Sequence, residues 1–296
     1  MKKLLALLIA LCLLPSFAAA ETIVTSFYPI YLFTLNLVNG LDGVTVRNLA
    51  APGTGCLHDY QLQTGDMKLL SEADAFLING AGMEGYLSNV FEFFPDLPVT
   101  DASAGVELLE SDLAGLSVGE SETLYNAHIW LDPKNAALMV SNLADGLIAA
   151  CPDRAEAIIA NRNAYLARLE SLDQALTEGL AGLPHRDIVT FHEAFPYFAN
   201  AYGLHVAAVV NREPGDALSP AALGQLVLLL RDLGVPPLFV EPQYEDLAAQ
   251  TLACETGAAV YMLDPVVTGP EEDVPMTYYE DRMLENMRVL QEALGA

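Results

Sequence analysis

Five histidines occur among the 296 residues, and three of them stand where the chain is expected to change direction. His58 lies in the turn-rich run AlaProGlyThrGlyCysLeuHisAspTyr, His128 in AsnAlaHisIleTrpLeuAspPro ahead of an expected helix, and His192 directly after the strand-like AspIleValThrPhe. Asp264 takes a fourth such position, at the end of ValTyrMetLeuAsp. Three imidazoles and one carboxylate are an adequate ligand set for a d-block cation. Their separations of 70, 64 and 72 residues match no local metal motif, so the fold would have to assemble any site. A lone loop histidine is also commonly a hydrogen-bonded surface residue, and residue types alone leave both readings open.

The elements that would position these residues follow an α/β pattern. In the first half, residues 22–26, 44–49 and 75–79 are short strand-like runs. Residues 29–39 and 64–73 are helical, and Pro133 to Ala150 is a helix with proline in its tolerant first turn. The second half repeats the alternation, with strand-like runs at 187–191, 206–210, 238–241 and 260–264. Between the halves, Asp153 and Glu156 predict a capped start. Ile158, Tyr165, Leu169, Leu172, Leu176 and Leu180 follow at helical spacing until Gly182 and Pro184. A helix from Arg154 to Ala181 would be about 42 Å long, long enough to act as a strut that resists hinge motion. The fold expected is two α/β lobes joined by one long rigid helix: signal peptide 1–20, first lobe 21–152, linking helix 153–182, second lobe 183–296. In open α/β sheets ligands gather beyond the carboxyl ends of strands, where His58, His192 and Asp264 are placed and where His128 can converge with them.

Charge narrows the partners. MKKLLALLIALCLLPSFAAA reads as an export signal, so the protein is expected to be periplasmic or on the cell surface. Lipid attachment at Cys12 is disfavoured by the preceding Leu11. Without Lys2 and Lys3 the chain keeps 11 basic against 39 acidic residues, a net charge of −28. That field repels nucleic acid and attracts cations, although an acidic coat that keeps an exported protein soluble accounts for most of it. The remaining cysteines, Cys56, Cys151 and Cys254, form no CxxC pair, and export permits one disulfide among them.

The ordered segments TSFYPIY, NLAAPGTGCLHDYQ, INGAGMEGY, HIWLDPKNA, FHEAFPYFANAYGL, FVEPQY and LDPV span nearly the whole chain after the signal. As a set the chain resembles the zinc or manganese solute-binding proteins of metal-importing ABC transporters. The resemblance implies two lobes, a long linking helix and a metal in the cleft. His58 and His128 would come from the first lobe, and His192 and Asp264 from the second. It implies a divalent cation as cargo, a membrane permease as partner and no enzymatic activity; the chain is expected to be a monomer. Manganese-binding relatives commonly carry glutamate where His192 stands, and three nitrogens with one oxygen suit zinc better. Trp130 and Leu131 would pack the start of the helix that Asp132 and Pro133 begin.

Other residues carry further expectations. Glu241 can orient a ligand histidine, with backbone hydrogen bonding an equal alternative. Glu193 is expected in the first turn of a helix, pointing away from the site. His185 and His205 are expected to be structural or exposed, and Cys56 buried or disulfide-bonded rather than a ligand. Residues 103–127 hold Glu107, Glu110, Asp112, Glu120 and Glu122 but no histidine, and are read as a solvated acidic loop. Two other function classes compete: an exported zinc metallohydrolase, against which stand the closing fourth ligand Asp264 and the absence of HExxH, and an adhesin of the same fold.

Overall fold

A computed structural model describes residues 20–55, 57, 60–111, 125–210, 219–243 and 247–295. The export signal with Cys12, and also Cys56, His58 and most of the acidic loop, lie outside the described residues.

The first half begins with β1 (Glu21–Thr25), α1 (Tyr28–Leu37), β2 (Val44–Asn48), α2 (Thr64–Ser71) and β3 (Ala75–Ile78), and continues with α3 (Leu87–Phe93), β4 (Val99–Asp101) and α4 (Pro133–Ala150). Its four strands form a parallel sheet in the order β2-β1-β3-β4. All four residues of β3 are buried, as a central parallel strand covered on both faces requires. α4 has the expected bounds because its first turn is fully specified: Pro133 needs no N–H partner there, and Asp132 Oδ1 accepts the Lys134 N–H at 2.9 Å.

α5 runs from Ala155 to Ala181, and the second half follows as β5 (Asp187–Thr190), α6 (Pro196–Tyr202), β6 (His205–Val209) and α7 (Pro220–Asp232), then β7 (Leu238–Val240), α8 (Leu247–Thr256), β8 (Val260–Met262) and α9 (Tyr278–Leu294). Its sheet, order β6-β5-β7-β8, is again parallel. In each sheet the strand order reverses beside the first strand of that half, between β1 and β3 and between β5 and β7. The crevices where a ligand can enter such a sheet are therefore at Ser26 and Asn79 in one half, and at His192 and Glu241 in the other.

The long helix is bonded to both halves. Near its start Arg154 pairs with Glu21 at 2.8 Å, and Asn161 donates to the Leu37 and Asn39 carbonyls. In its middle Arg168 pairs with Glu280 at 3.0 Å and also reaches Asn36 and the Met276 carbonyl. Gln291 of α9 donates to the Gly179 carbonyl near its end. The six apolar residues predicted to form its stripe are all buried. One detail of the prediction fails: Asp153 does not cap this helix. Pro152 starts a 3-10 turn through Arg154, and Arg154 is the residue ahead of the helix, with no side-chain cap bond. One apolar core runs through both halves, from Ile23 to Leu294, and a smaller one lies under β7, α7 and α8.

The turn after β3 accounts for one buried acid. Gly80 takes φ of 77°, and a Cβ there would collide with the Asp101 carboxylate, so only glycine fits. That turn presents the Asn79 and Gly80 N–H groups to Glu84 at 2.7 and 3.1 Å. Burial pushes the Glu84 carboxyl up to about 7, against the opposing pull of Ser26 and these two amides. A carboxyl with a raised native value binds its proton more tightly folded than unfolded. Its contribution is full below about 4.5 and is lost as pH climbs to about 7. Denaturant unfolding across that window should show wild-type stability falling relative to Glu84→Gln, and parallel curves would refute this assignment.

Candidate metal centre

His192 follows β5 at the crevice of the second sheet and is buried. Its Nδ1–H donates to Glu241 Oε1 at 2.8 Å, from the residue that follows β7. An ionised carboxylate only accepts, so the proton sits on Nδ1, and Nε2 carries the lone pair that a metal requires. Gln243 donates to the other Glu241 oxygen and holds that carboxylate in place. Glu241 is thus the buried orienting group for His192.

His128 is brought to the first crevice by its neighbours. Asn79, directly after β3, donates from Nδ2 to the Ala127 carbonyl at 3.0 Å. Ile129, Trp130 and Leu131 form a 3-10 turn with no exposed surface, which leads through Asp132 into α4. Trp130 then crosses to the other half: its Nε1–H donates to the Pro265 carbonyl at 2.8 Å, and its own carbonyl accepts the Tyr279 hydroxyl at 2.6 Å. Phe27 packs against it edge-on at 5.2 Å between ring centroids. The turn that carries His128 is therefore fixed to the strand-end loop that carries Asp264.

The rings of His128 and His192 lie 4.7 Å apart between centroids, at 81° to each other. Two imidazoles bound through nitrogen to one tetrahedral zinc at about 2.0–2.1 Å would have centroids about 5 Å apart. The ring spacing of the pair is close to that value.

Asp264 follows β8. Its backbone is clamped by Asn286, which accepts the Asp264 N–H at 2.8 Å and donates to its carbonyl at 2.7 Å. One carboxylate oxygen accepts the Val266 N–H at 2.7 Å. Val266 sits in the left-handed region with φ of 61°, a conformation costly for a β-branched residue, and nothing in the sequence signals it. Burial pushes the Asp264 carboxyl above its ordinary value and the negative Glu241 adds to this, while the Val266 amide and Arg282 pull it down. A nearby cation would act in the same direction as Arg282.

Among the described residues, no group of three His, Cys, Asp or Glu side chains is close enough to hold a metal. His128 and His192 are brought together. Asp264 turns one oxygen into its own loop, and His58 lies outside the described residues.

Glu193 differs from expectation. The next helix starts at Pro196 rather than at His192, so Glu193 is not in a first helical turn. It is buried and accepts the Ser111 hydroxyl at 2.8 Å. The described stem of the acidic loop is correspondingly more than a solvated excursion. There Glu110 bridges to Tyr125, the Leu109 N–H donates to the Tyr197 hydroxyl, and Tyr197 donates to the Asn126 carbonyl. Cys151 and Cys254 are free thiols. His205 is exposed and pairs with Asp187 at 2.8 Å, and His185 is exposed, so both stand apart from the site.

The family described as "Zinc-uptake complex component A periplasmic" matches residues 23–293. The chain is 29% identical over 308 residues to the zinc-binding lipoprotein AdcA of Streptococcus pneumoniae, covering 99% of this chain and 61% of that protein. It is 29% identical over 205 residues to the manganese-binding lipoprotein MntA of Halalkalibacterium halodurans, covering 69% of this chain and 66% of that protein. The chain thus spans less than two thirds of the length of these curated relatives. A crystal structure of ZnuA superposes with a TM-score of 0.78 at 27% identity, covering 93% of this chain and 99% of that one. Both curated relatives are lipoproteins by name, so the context of Cys12 gives no support for an unanchored chain. The match over residues 23–293 shows that the chain belongs to the family of periplasmic zinc-uptake component A proteins.

Proposed function

We propose that the chain is an exported solute-binding protein that captures one divalent transition metal, zinc ahead of manganese, and delivers it to the membrane permease of an ABC importer. The observation that carries this reading is the His128 and His192 pair, one from each half, 4.7 Å apart, with the Nδ1 edge of each ring engaged by an oxygen. His58 and Asp264 complete the proposed ligand set. The protein works as a monomer of two lobes, 21–152 and 183–296, about the helix within 153–182. A hydrolase would need a water position and a general base beside the metal, whereas the proposed four protein ligands close a tetrahedral shell. AdcA is named for zinc and MntA for manganese, so family membership alone does not choose the metal.

Donor chemistry chooses it: three imidazole nitrogens and one carboxylate favour zinc over the oxygen-preferring manganese. Competitive titration with zinc and manganese tests this directly. Wild type should prefer zinc, His192→Glu should weaken zinc and narrow the gap, and His192→Ala should weaken both metals. Equal or tighter manganese binding by the wild type would rule out zinc as the cargo, and failure to bind either metal would rule out the transport reading.

A further inference from the structure

Asn126, buried two residues before His128, uses every kind of hydrogen-bonding group it has. Its N–H donates to the Leu109 carbonyl at 2.9 Å, and its carbonyl accepts the Tyr197 hydroxyl at 3.0 Å. Its side-chain Nδ2 donates to the Glu193 carbonyl at 2.7 Å. Its Oδ1 accepts the His128 backbone N–H at 2.9 Å and lies 3.1 Å from His128 Nδ1.

Two backbone groups fix which end of this amide is which. The Glu193 carbonyl can only accept, so the atom facing it is the nitrogen. The His128 N–H can only donate, so the atom facing it is the oxygen. A flipped amide would set oxygen against oxygen at one end and N–H against N–H at the other. The oxygen also faces His128 Nδ1 and cannot donate to it, so Nδ1 must bear the proton and Nε2 the lone pair. The same amide, through Nδ2, grips the residue next to His192. One side chain therefore sets both the tautomer of His128 and the placement of its turn against the turn of the other histidine.

We propose that Asn126 is a positioning residue for metal capture, selecting the metal-ready tautomer of His128 and holding that ring in register with His192 across the two halves. This rests on the metal-binding reading given above. It extends to His128 the support that Glu241 gives His192, with a neutral amide in place of a carboxylate and with a bond across the halves.

The test combines long-range 1H–15N correlation of the histidine rings in the metal-free protein with zinc affinity measured against a competing chelator. Wild-type His128 should show the Nδ1–H tautomer. Asn126→Ala should admit the Nε2–H tautomer and lower zinc affinity about 10- to 100-fold, the usual effect of losing such a supporting bond. Asn126→Asp keeps the acceptor but loses the Nδ2 donor to Glu193, so it should keep the Nδ1–H tautomer while losing part of the affinity. A wild-type His128 protonated on Nε2 overturns the proposal without any variant having to fold. So does an Asn126→Ala protein with unchanged tautomer and affinity, or an Asn126→Asp protein that admits the Nε2–H tautomer as Asn126→Ala does. Wild-type protein with the Nδ1–H tautomer that takes up no zinc sinks the metal reading, and the proposal with it.

Discussion

Zinc held at about a thousand times its dissociation constant is expected to stabilise the folded chain by about 4 kcal/mol, because an ion that binds only the folded state adds RT ln(1 + [L]/Kd). The unfolded chain cannot compete, since the proposed ligands are 70, 64 and 72 residues apart and meet only through the fold. In a thermal melt this should appear as an upward shift on the order of 10 °C that chelator reverses. His128→Ala and His192→Ala should each remove most of the shift, measured against the metal-free melting temperature of the same variant. A melting temperature indifferent to zinc, manganese and chelator would contradict the capture of any metal by this pair.

Truncation of Trp130 is expected to cost at least as much. Its ring has no exposed surface, and a large buried aromatic removed to alanine typically costs about 3–5 kcal/mol. The Pro265 carbonyl would also lose its donor, adding about 1–3 kcal/mol if water cannot reach it. Trp130→Phe should cost less than Trp130→Ala, since it keeps part of the ring packing while losing the N–H along with the rest of the indole. Because Trp130 is the single tryptophan, urea unfolding of the variants should be followed by circular dichroism rather than by fluorescence. Trp130→Ala within about 1 kcal/mol of wild type would show that the junction between the halves does not depend on this residue.

What the sequence revealed of the fold depended on how local the determining physics was. α4 was legible to its ends because Asp132 and Pro133 specify the start within two residues. The stripe on α5 was legible because its period is its own property. β4 and α3 were not anticipated: a strand of three residues and a helix of seven offer too few positions for a period to emerge. Glu193 was misplaced although Pro196 marked the helix start, because the preceding residues have the composition of a first turn. In the site, His192 could be placed from the strand before it, and Glu241 from the strand that ends beside it. Asn126 carried no such mark. Its role depends on the Glu193 carbonyl 67 residues away, which only the folded chain brings within reach.

The helix of 27 residues between the halves bears on how long a captured ion would stay. A binding protein that hinges open can shed its cargo spontaneously, because thermal opening pulls the ligands apart. Here the connector is bonded to the first half at Arg154 and Asn161, to both at Arg168, and to the second near Gly179, so spontaneous wide opening would break several of these bonds together. Residence time would then be long and nearly independent of the free chain's fluctuations. If the chain captures a metal as proposed, unloading it would then need work done on the protein from outside.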